Sequence, residues 1–252
     1  MNIAIITGAS SGIGREFVRQ MDPVFHSIDE FWLNARRGER LWELKEICDH
    51  PVRNLTMDLL NEDMLDKLEI TLVAENPCIK MLINAAGFGI MGPVAKLDIE
   101  EQLEMVSLNC QVLTRLTHMC LPYMDRNSRI LQMASVAAFL PQPNFSVYAA
   151  TKSYVLSFSR ALAREVKKRE IYVTAVCPGP VDTEFFKIAE RFGTALSIKK
   201  LFMVTPKKVV EQALRDSYYK KEVSVIGLSM KLFYGITKLI PHSLILSIME
   251  KM

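Results

Sequence analysis

The sequence predicts an α/β fold, a doubly wound parallel sheet in a single domain. Three observations predict it. Short apolar runs alternate with amphipathic helical stretches, the first run empties into a glycine-rich turn, and small or polar residues recur where the runs end. Alternation at this spacing calls for parallel strands covered by helices on both faces and joined by right-handed crossovers.

Composition bounds the reading. A chain of 252 residues with 50% hydrophobic and 23% charged residues is globular and long enough to bury a sizeable core. A net charge of +3 without a long basic run gives no case for a nucleic-acid partner. The five cysteines (Cys48, Cys78, Cys110, Cys120, Cys177) are odd in number and lack CxxC spacing, as in reduced thiols of a cytosolic protein. His26, His50, His118 and His242 form no metal-ligand pattern, so no metal is expected. The N-terminus lacks the basic region of a signal peptide, and no stretch reaches the ~18 apolar residues of a membrane span. A cytoplasmic location is expected.

Residues 2–6 are isoleucine-rich and read as a buried parallel strand. They run into Thr7-Gly8-Ala9-Ser10-Ser11-Gly12-Ile13-Gly14, and residues 15–21 follow with a helical pattern. Strand, glycine turn and helix form the context of a dinucleotide-binding loop, where free N–H groups at the helix start meet a pyrophosphate; a plain turn is the bland alternative. The next strand, residues 30–35, ends about 20 residues past the last glycine, where an acidic residue would bind a ribose 2′-hydroxyl. Ala35 stands there, followed by Arg36 and Arg37, whose guanidinium groups suit a 2′-phosphate. Against that stands a solvated helix start.

Residues 38–48 are helical by the steps between Leu41, Leu44 and Ile47, and residues 52–57 give a third strand of weaker pattern. Asp58 closes it, either accepting from an adenine amino group or capping a helix. Residues 62–74 are a further helix. Met81-Leu82-Ile83 is the core of a fourth strand ending in Asn84-Ala85-Ala86-Gly87, small residues that admit a cofactor or make a tight turn. Residues 99–121 form a long helix with Asn109 in the middle, a poor position for a residue that competes for backbone hydrogen bonds. Residues 129–134 form a fifth strand ending at Ser135, residues 146–168 a long helix, and residues 171–176 a sixth strand. Gly8, Ala35, Asp58, Asn84, Ser135 and Pro178 thus gather at the carboxyl ends of the strands, where such sheets bind ligands.

The helix of residues 146–168 carries Tyr148 and Lys152, which share one face at i, i+4. A phenol titrates near pH ~10, and a lysine ammonium one turn away favours the phenolate and lowers that value. Such a pair makes an acid/base group; a chance surface pair is the alternative.

No repeat or linker divides residues 1–227. Beyond Pro178-Gly179-Pro180-Val181-Asp182-Thr183, the aromatic stretch of Phe185, Phe186, Phe192 and Phe202 reads as a lid or as core helices. Residues 206–219 are helical and residues 223–226 a last strand. The apolar tail, residues 228–252, is broken by Pro241. It is expected to pack on the cleft or a subunit interface, with a membrane surface as the third reading.

The glycine loop from Thr7 to Gly14, Asn84-Ala85-Ala86-Gly87, Ser135, Tyr148-Ala149-Ala150-Thr151-Lys152 and Pro178-Gly179-Pro180 together resemble the short-chain dehydrogenase/reductase family, NADP-preferring type, over about residues 3–185. The resemblance implies a Rossmann-type fold and a catalytic set of Asn109, Ser135, Tyr148 and Lys152. Tyr148 would be the general acid, Ser135 would hold the substrate oxygen, and Lys152 would tune Tyr148 and bind the nicotinamide ribose. Asn109 would support a water-linked proton path. It maps cofactor contacts onto Gly8, Ser10, Ser11, Gly12, Ile13, Gly14, Arg36, Arg37, Asp58, Asn84, Ala85, Gly87, Tyr148, Lys152, Pro178, Gly179, Val181 and Thr183. NADP(H) is favoured over NAD(H), and a homodimer or homotetramer is implied. Asp22-Pro23-Val24-Phe25-His26 departs from the family's usual glycine-containing turn.

The function expected is NADP(H)-dependent interconversion of a carbonyl and a secondary alcohol on an apolar small molecule. The alternatives are a non-catalytic NADP-binding sensor or a membrane-surface protein of the same fold, neither of which needs the Tyr–Lys pair.

Overall fold

The computed structural model describes residues 1–189 and 203–249. Strand β1 (Asn2–Thr7) is central. Ala4 and Ile6 point into one apolar layer, with Phe17, Leu41 and Val209. Ile3 and Ile5 point into the other, with Leu72, Leu116 and Leu162. Side chains alternate along a strand, so a run that is apolar throughout requires cover on both faces. Each isoleucine taken from water contributes about 1.5–3 kcal/mol.

Helices α1 (Gly12–Met21) and α2 (Gly38–Ile47) cover one face. α3 (Glu62–Glu75) helps cover the other. Strands β2 (Glu30–Ala35), β3 (Val52–Thr56), β4 (Cys78–Asn84), β5 (Arg129–Met133), β6 (Tyr172–Cys177) and β7 (Val223–Val225) complete a seven-stranded sheet of order β3-β2-β1-β4-β5-β6-β7. All its pairings are parallel. The chain leaves β1 toward β2 on one side and returns through β4 on the other, which opens a crevice at the carboxyl ends.

The departure after α1 has a structural use. Asp22 accepts from the Asp49 and His50 amides at 2.9 and 3.0 Å and sits 2.8 Å from the His50 ring nitrogen, tying that turn to the start of β3. β2 starts at Glu30 as the sequence reading had it.

The long helix expected over residues 99–121 is not uniform. α4 (Ile99–Val106) and α5 (Leu113–Cys120) flank a π-helical segment, Ser107–Val112. α6 (Ser146–Glu165) ends sooner than expected, in a short 3₁₀ turn at Lys167–Arg169. After α7 (Glu184–Ala189) and α8 (Pro206–Tyr218), the tail forms α9 (Leu228–Leu239) and α10 (His242–Met249), parted at Pro241. The inner face of α9 packs on the strand-end region: Tyr234 lies 4.4 Å from the Phe139 ring, and Met230 lies against Gly179. Its outer face leaves Leu228, Leu232 and Leu239 exposed.

Candidate active site

A cavity of about 750 Å³ lies along the carboxyl ends of the strands. Every residue put forward above as catalytic or cofactor-binding lines it, apart from Asn84 and Asn109.

The glycine loop forms its floor. Thr7 accepts from the Ala85 and Ala86 amides at 3.0 Å each, locking the turn after β1 to the turn after β4. Gly8 and Gly12 have φ of +68° and +52°, which L side chains rarely adopt. A Cβ on Gly14 would stand 2.3 Å from the Gly8 carbonyl oxygen. Ser11 gives α1 no side-chain cap, so the helix's first amides are open to an anion. A cradle this close to bare backbone, with guanidinium groups at one end, fits a dinucleotide.

At that end Arg36 is mostly exposed, 3.8 Å from Asp58. Arg37 reaches Ser10 Oγ at 3.4 Å and pairs with Glu184 at 2.9 Å. Asp58 caps the Leu60 amide at 3.0 Å rather than a helix; α3 is capped by Asn61, which accepts from Met64.

Asn84 does not reach the cavity. It is buried and donates to Gln132 at 2.9 Å and to Thr117 at 3.2 Å, bracing β4 against β5 and α5. The strand's alternation turns this side chain into the core, so it braces the sheet instead of lining the cavity. Asn109 is also buried. Its Oδ1 accepts from the Phe88 amide at 3.2 Å, and its Nδ2 donates to the Phe88 carbonyl at 2.9 Å and to Thr151 at 3.1 Å. The π-helical segment turns this side chain inward and resolves the awkwardness of an asparagine in mid-helix.

At the opposite end stand Ser135, Tyr148 and Lys152. Phe145, just before α6, stacks on the Tyr148 ring at 4.2 Å, and Phe185 lies 5.5 Å from it. Lys152 donates to the Met133 carbonyl at 2.8 Å, and its Nζ is 5.5 Å from the Tyr148 ring centre. Burial pushes the Tyr148 phenol up to about 12, against a hydrogen bond to Ser135 that lowers it. Burial brings Lys152 down to about 8. The i, i+4 spacing points to a lowering by Lys152; here burial sets the opposite direction, and the ammonium's hydrogen bond goes to Met133. A phenol so placed keeps its proton at neutral pH.

The sequence reading missed Glu184 and Arg40 at the arginine end, and Phe88, Met91, Phe145 and Gln142 along the wall. For Phe145 the signal was its three-residue step to Tyr148. Glu184 gave no such signal, since its partners lie 147 and 144 residues away. Of the aromatic stretch, Phe192 and Phe202 lie outside the described residues.

A glycine-rich strand–helix turn and a buried Tyr–Lys helix sharing one strand-end cavity are the parts of a nicotinamide-dependent oxidoreductase. The chain belongs to the short chain dehydrogenase family, whose model matches residues 2–191. Sulfoacetaldehyde reductase 2 of Chromohalobacter salexigens is 32% identical over 190 residues, 73% of this chain and 74% of its own. NADP-dependent 3-hydroxy acid dehydrogenase YdfG of Escherichia coli K12 is 32% identical over 190 residues, 74% of this chain and 75% of its own. Among solved structures, a short-chain dehydrogenase from Sphingobium yanoikuyae in complex with NADPH superposes with a TM-score of 0.77 at 29% identity, covering 89% of this chain and 87% of that one.

Proposed function

We propose that this enzyme interconverts a neutral, apolar carbonyl compound and its secondary alcohol using NADP(H), with Tyr148 as general acid and base. The observation that carries the proposal is the convergence of Ser135, Tyr148 and Lys152 at one end of a cavity whose other end presents Arg36 and Arg37. A bound nicotinamide supplies the hydride in reduction and accepts it in oxidation. Ser135 and Tyr148 direct hydroxyls at one oxygen, and Tyr148 gives it a proton, for which its protonated state at neutral pH is suited. Lys152, held by Met133, contributes positive charge beside the phenol. Asn109 positions the Phe88 backbone and Thr151 next to Lys152 rather than touching the reacting atoms. Arg36 and Arg37 favour a 2′-phosphate, and Ala35 removes the carboxylate that would repel it.

The wall supports this substrate class. Phe88, Met91, Leu108, Phe145 and Phe185 line it together with Glu101 and Glu104. Among the described lining residues the cations are Arg36, Arg37 and Lys152. A sulfonate or carboxylate, as in the substrates that name the two relatives above, finds no further guanidinium or ammonium there. This supports a neutral substrate.

The test is turnover of NADPH and NADH in parallel with a panel of neutral ketones and carboxylate-bearing ketones. We expect kcat/KM at least about tenfold higher with NADPH, and neutral ketones preferred. Equal use of NADH would overturn the cofactor assignment; preference for the acids would overturn the substrate class.

Pairing of two copies through α5 and α6 belongs to the same proposal, supported by the shallow groove of Val106, Cys110, Gln111, Thr114, His118 and Tyr154 on that face. A monomer mass by light scattering would contradict it. For residues 228–249 we propose a cover over the strand-end region through Met230 and Tyr234. Among the described residues no helix is long and apolar enough to cross a membrane. A cytoplasmic setting is proposed, supported by five free cysteines. Oxidising conditions that left activity and thiol count unchanged would remove that support.

A further inference from the structure

At the arginine end of the cavity an acid stands where an anionic ligand is expected. One carboxylate oxygen of Glu184 lies 2.9 Å from Arg37 Nη2, and the other 2.9 Å from Arg40 Nη1. Arg37 Nη2 is also the group that reaches Ser10 on the glycine loop. The two guanidinium groups and the carboxylate are each between 32% and 41% exposed, so solvent and ligand can reach them. Glu184 opens α7, directly after Thr183, whose side chain meets Gly12. The next residue, Phe185, lies against Tyr148.

We propose that Glu184 is a cofactor-specificity residue whose carboxylate competes with the 2′-phosphate of NADP(H) for Arg37 and Arg40. The proposal rests on the reading of Arg37 as a phosphate-binding side chain. Its physical basis is charge. A phosphate monoester carries nearly two negative charges, and a guanidinium serves one anion's paired geometry at a time. If Glu184 stays, it repels the phosphate; if it leaves, two ion pairs are lost. Either way the carboxylate costs affinity only for the cofactor that bears the phosphate. The paired arginines hold the Glu184 carboxyl down to about 2, so the competitor is charged at every working pH. Competition at this point also ties the arginine end to α7: displacement of Glu184 frees the residue next to Phe185.

The test is calorimetric titration of NADPH and NADH into wild type, Glu184→Gln and Arg37→Gln. Glutamine keeps the shape and exposure of Glu184 while removing its charge. We expect Glu184→Gln to tighten NADPH binding by about threefold to tenfold with NADH changed less than about twofold. Arg37→Gln weakens NADPH by about tenfold or more and leaves NADH alone. Weaker or unchanged NADPH binding in Glu184→Gln overturns the proposal, because the carboxylate would then be orienting the arginines or idle. Equal tightening of both cofactors also overturns it, as the carboxylate would then act on a group common to both. Unchanged NADPH binding in Arg37→Gln removes the phosphate reading itself, and the proposal falls with it.

Discussion

Tyr148→Phe is expected to lower kcat by about two to four orders of magnitude while the NADPH dissociation constant stays within about twofold of wild type. The substitution removes one oxygen and little else. The ring is stacked on Phe145 at 4.2 Å, and a Cβ on Gly89 would come within 2.6 Å of it, so a phenyl group keeps the same tight seat. Ser135 stays in position because its hydroxyl also accepts from the Ala137 amide at 3.1 Å. What is lost is the proton donor, which burial keeps protonated at neutral pH. Stopped-flow turnover with a neutral ketone, beside a fluorescence titration of NADPH, reads both quantities. Activity above about a tenth of wild type would show that another group supplies the proton.

The second large effect belongs to the glycine loop. Gly14→Ala places a methyl 2.3 Å from the Gly8 carbonyl oxygen and 2.7 Å from its carbon. Both are backbone atoms, so no side-chain rotation relieves the contact and the loop must move. Overpacking of this kind costs about 1–3 kcal/mol, which in a chain of this size lowers Tm by roughly 2–12 °C. The displaced loop also loses its fit to a pyrophosphate, and NADPH binding weakens by about tenfold or more. Gly235→Ala is the control. Gly235 sits inside α9 with nothing within 4 Å of the Cβ position, so helix propensity alone applies and stability rises by up to about 1 kcal/mol. A melting curve for each variant separates the two cases, and an unchanged Tm in Gly14→Ala would refute the close packing of the loop.

Most of the sheet was legible because its strands are buried on both faces. β1 and β2 read as apolar runs with no competing helical period, and β2 begins and ends where the sequence reading put it. β3 was harder to see since it is the edge strand. Arg53 there stacks over Trp32 at 4.4 Å and pairs with Glu75, so the outer strand carries charge that an inner one would not. The Tyr148–Lys152 pair was legible as a spacing, but its electrostatics were not. Spacing reports that a charge is near; it does not report the loss of water that lifts the phenol to about 12. The π-helical turn at Asn109 depends on the side chain finding Phe88 and Thr151, partners 21 and 42 residues away. Glu184 was invisible for the same reason, since its ion pairs span 147 and 144 residues. Asn84 shows the reverse case. Its place at a strand end was read correctly, but which face its side chain took was decided by Gln132 and Thr117.

In the proposed reaction, hydride and proton meet at one carbonyl beside Tyr148. The most direct test uses NADPH carrying deuterium at the transferable position of the nicotinamide, a neutral ketone, and mass spectrometry of the alcohol. We expect one deuterium on the carbinol carbon of the wild-type product, and almost no labelled alcohol from Tyr148→Phe over the same time. Alcohol formed without deuterium, or labelled equally fast by the variant, would contradict it.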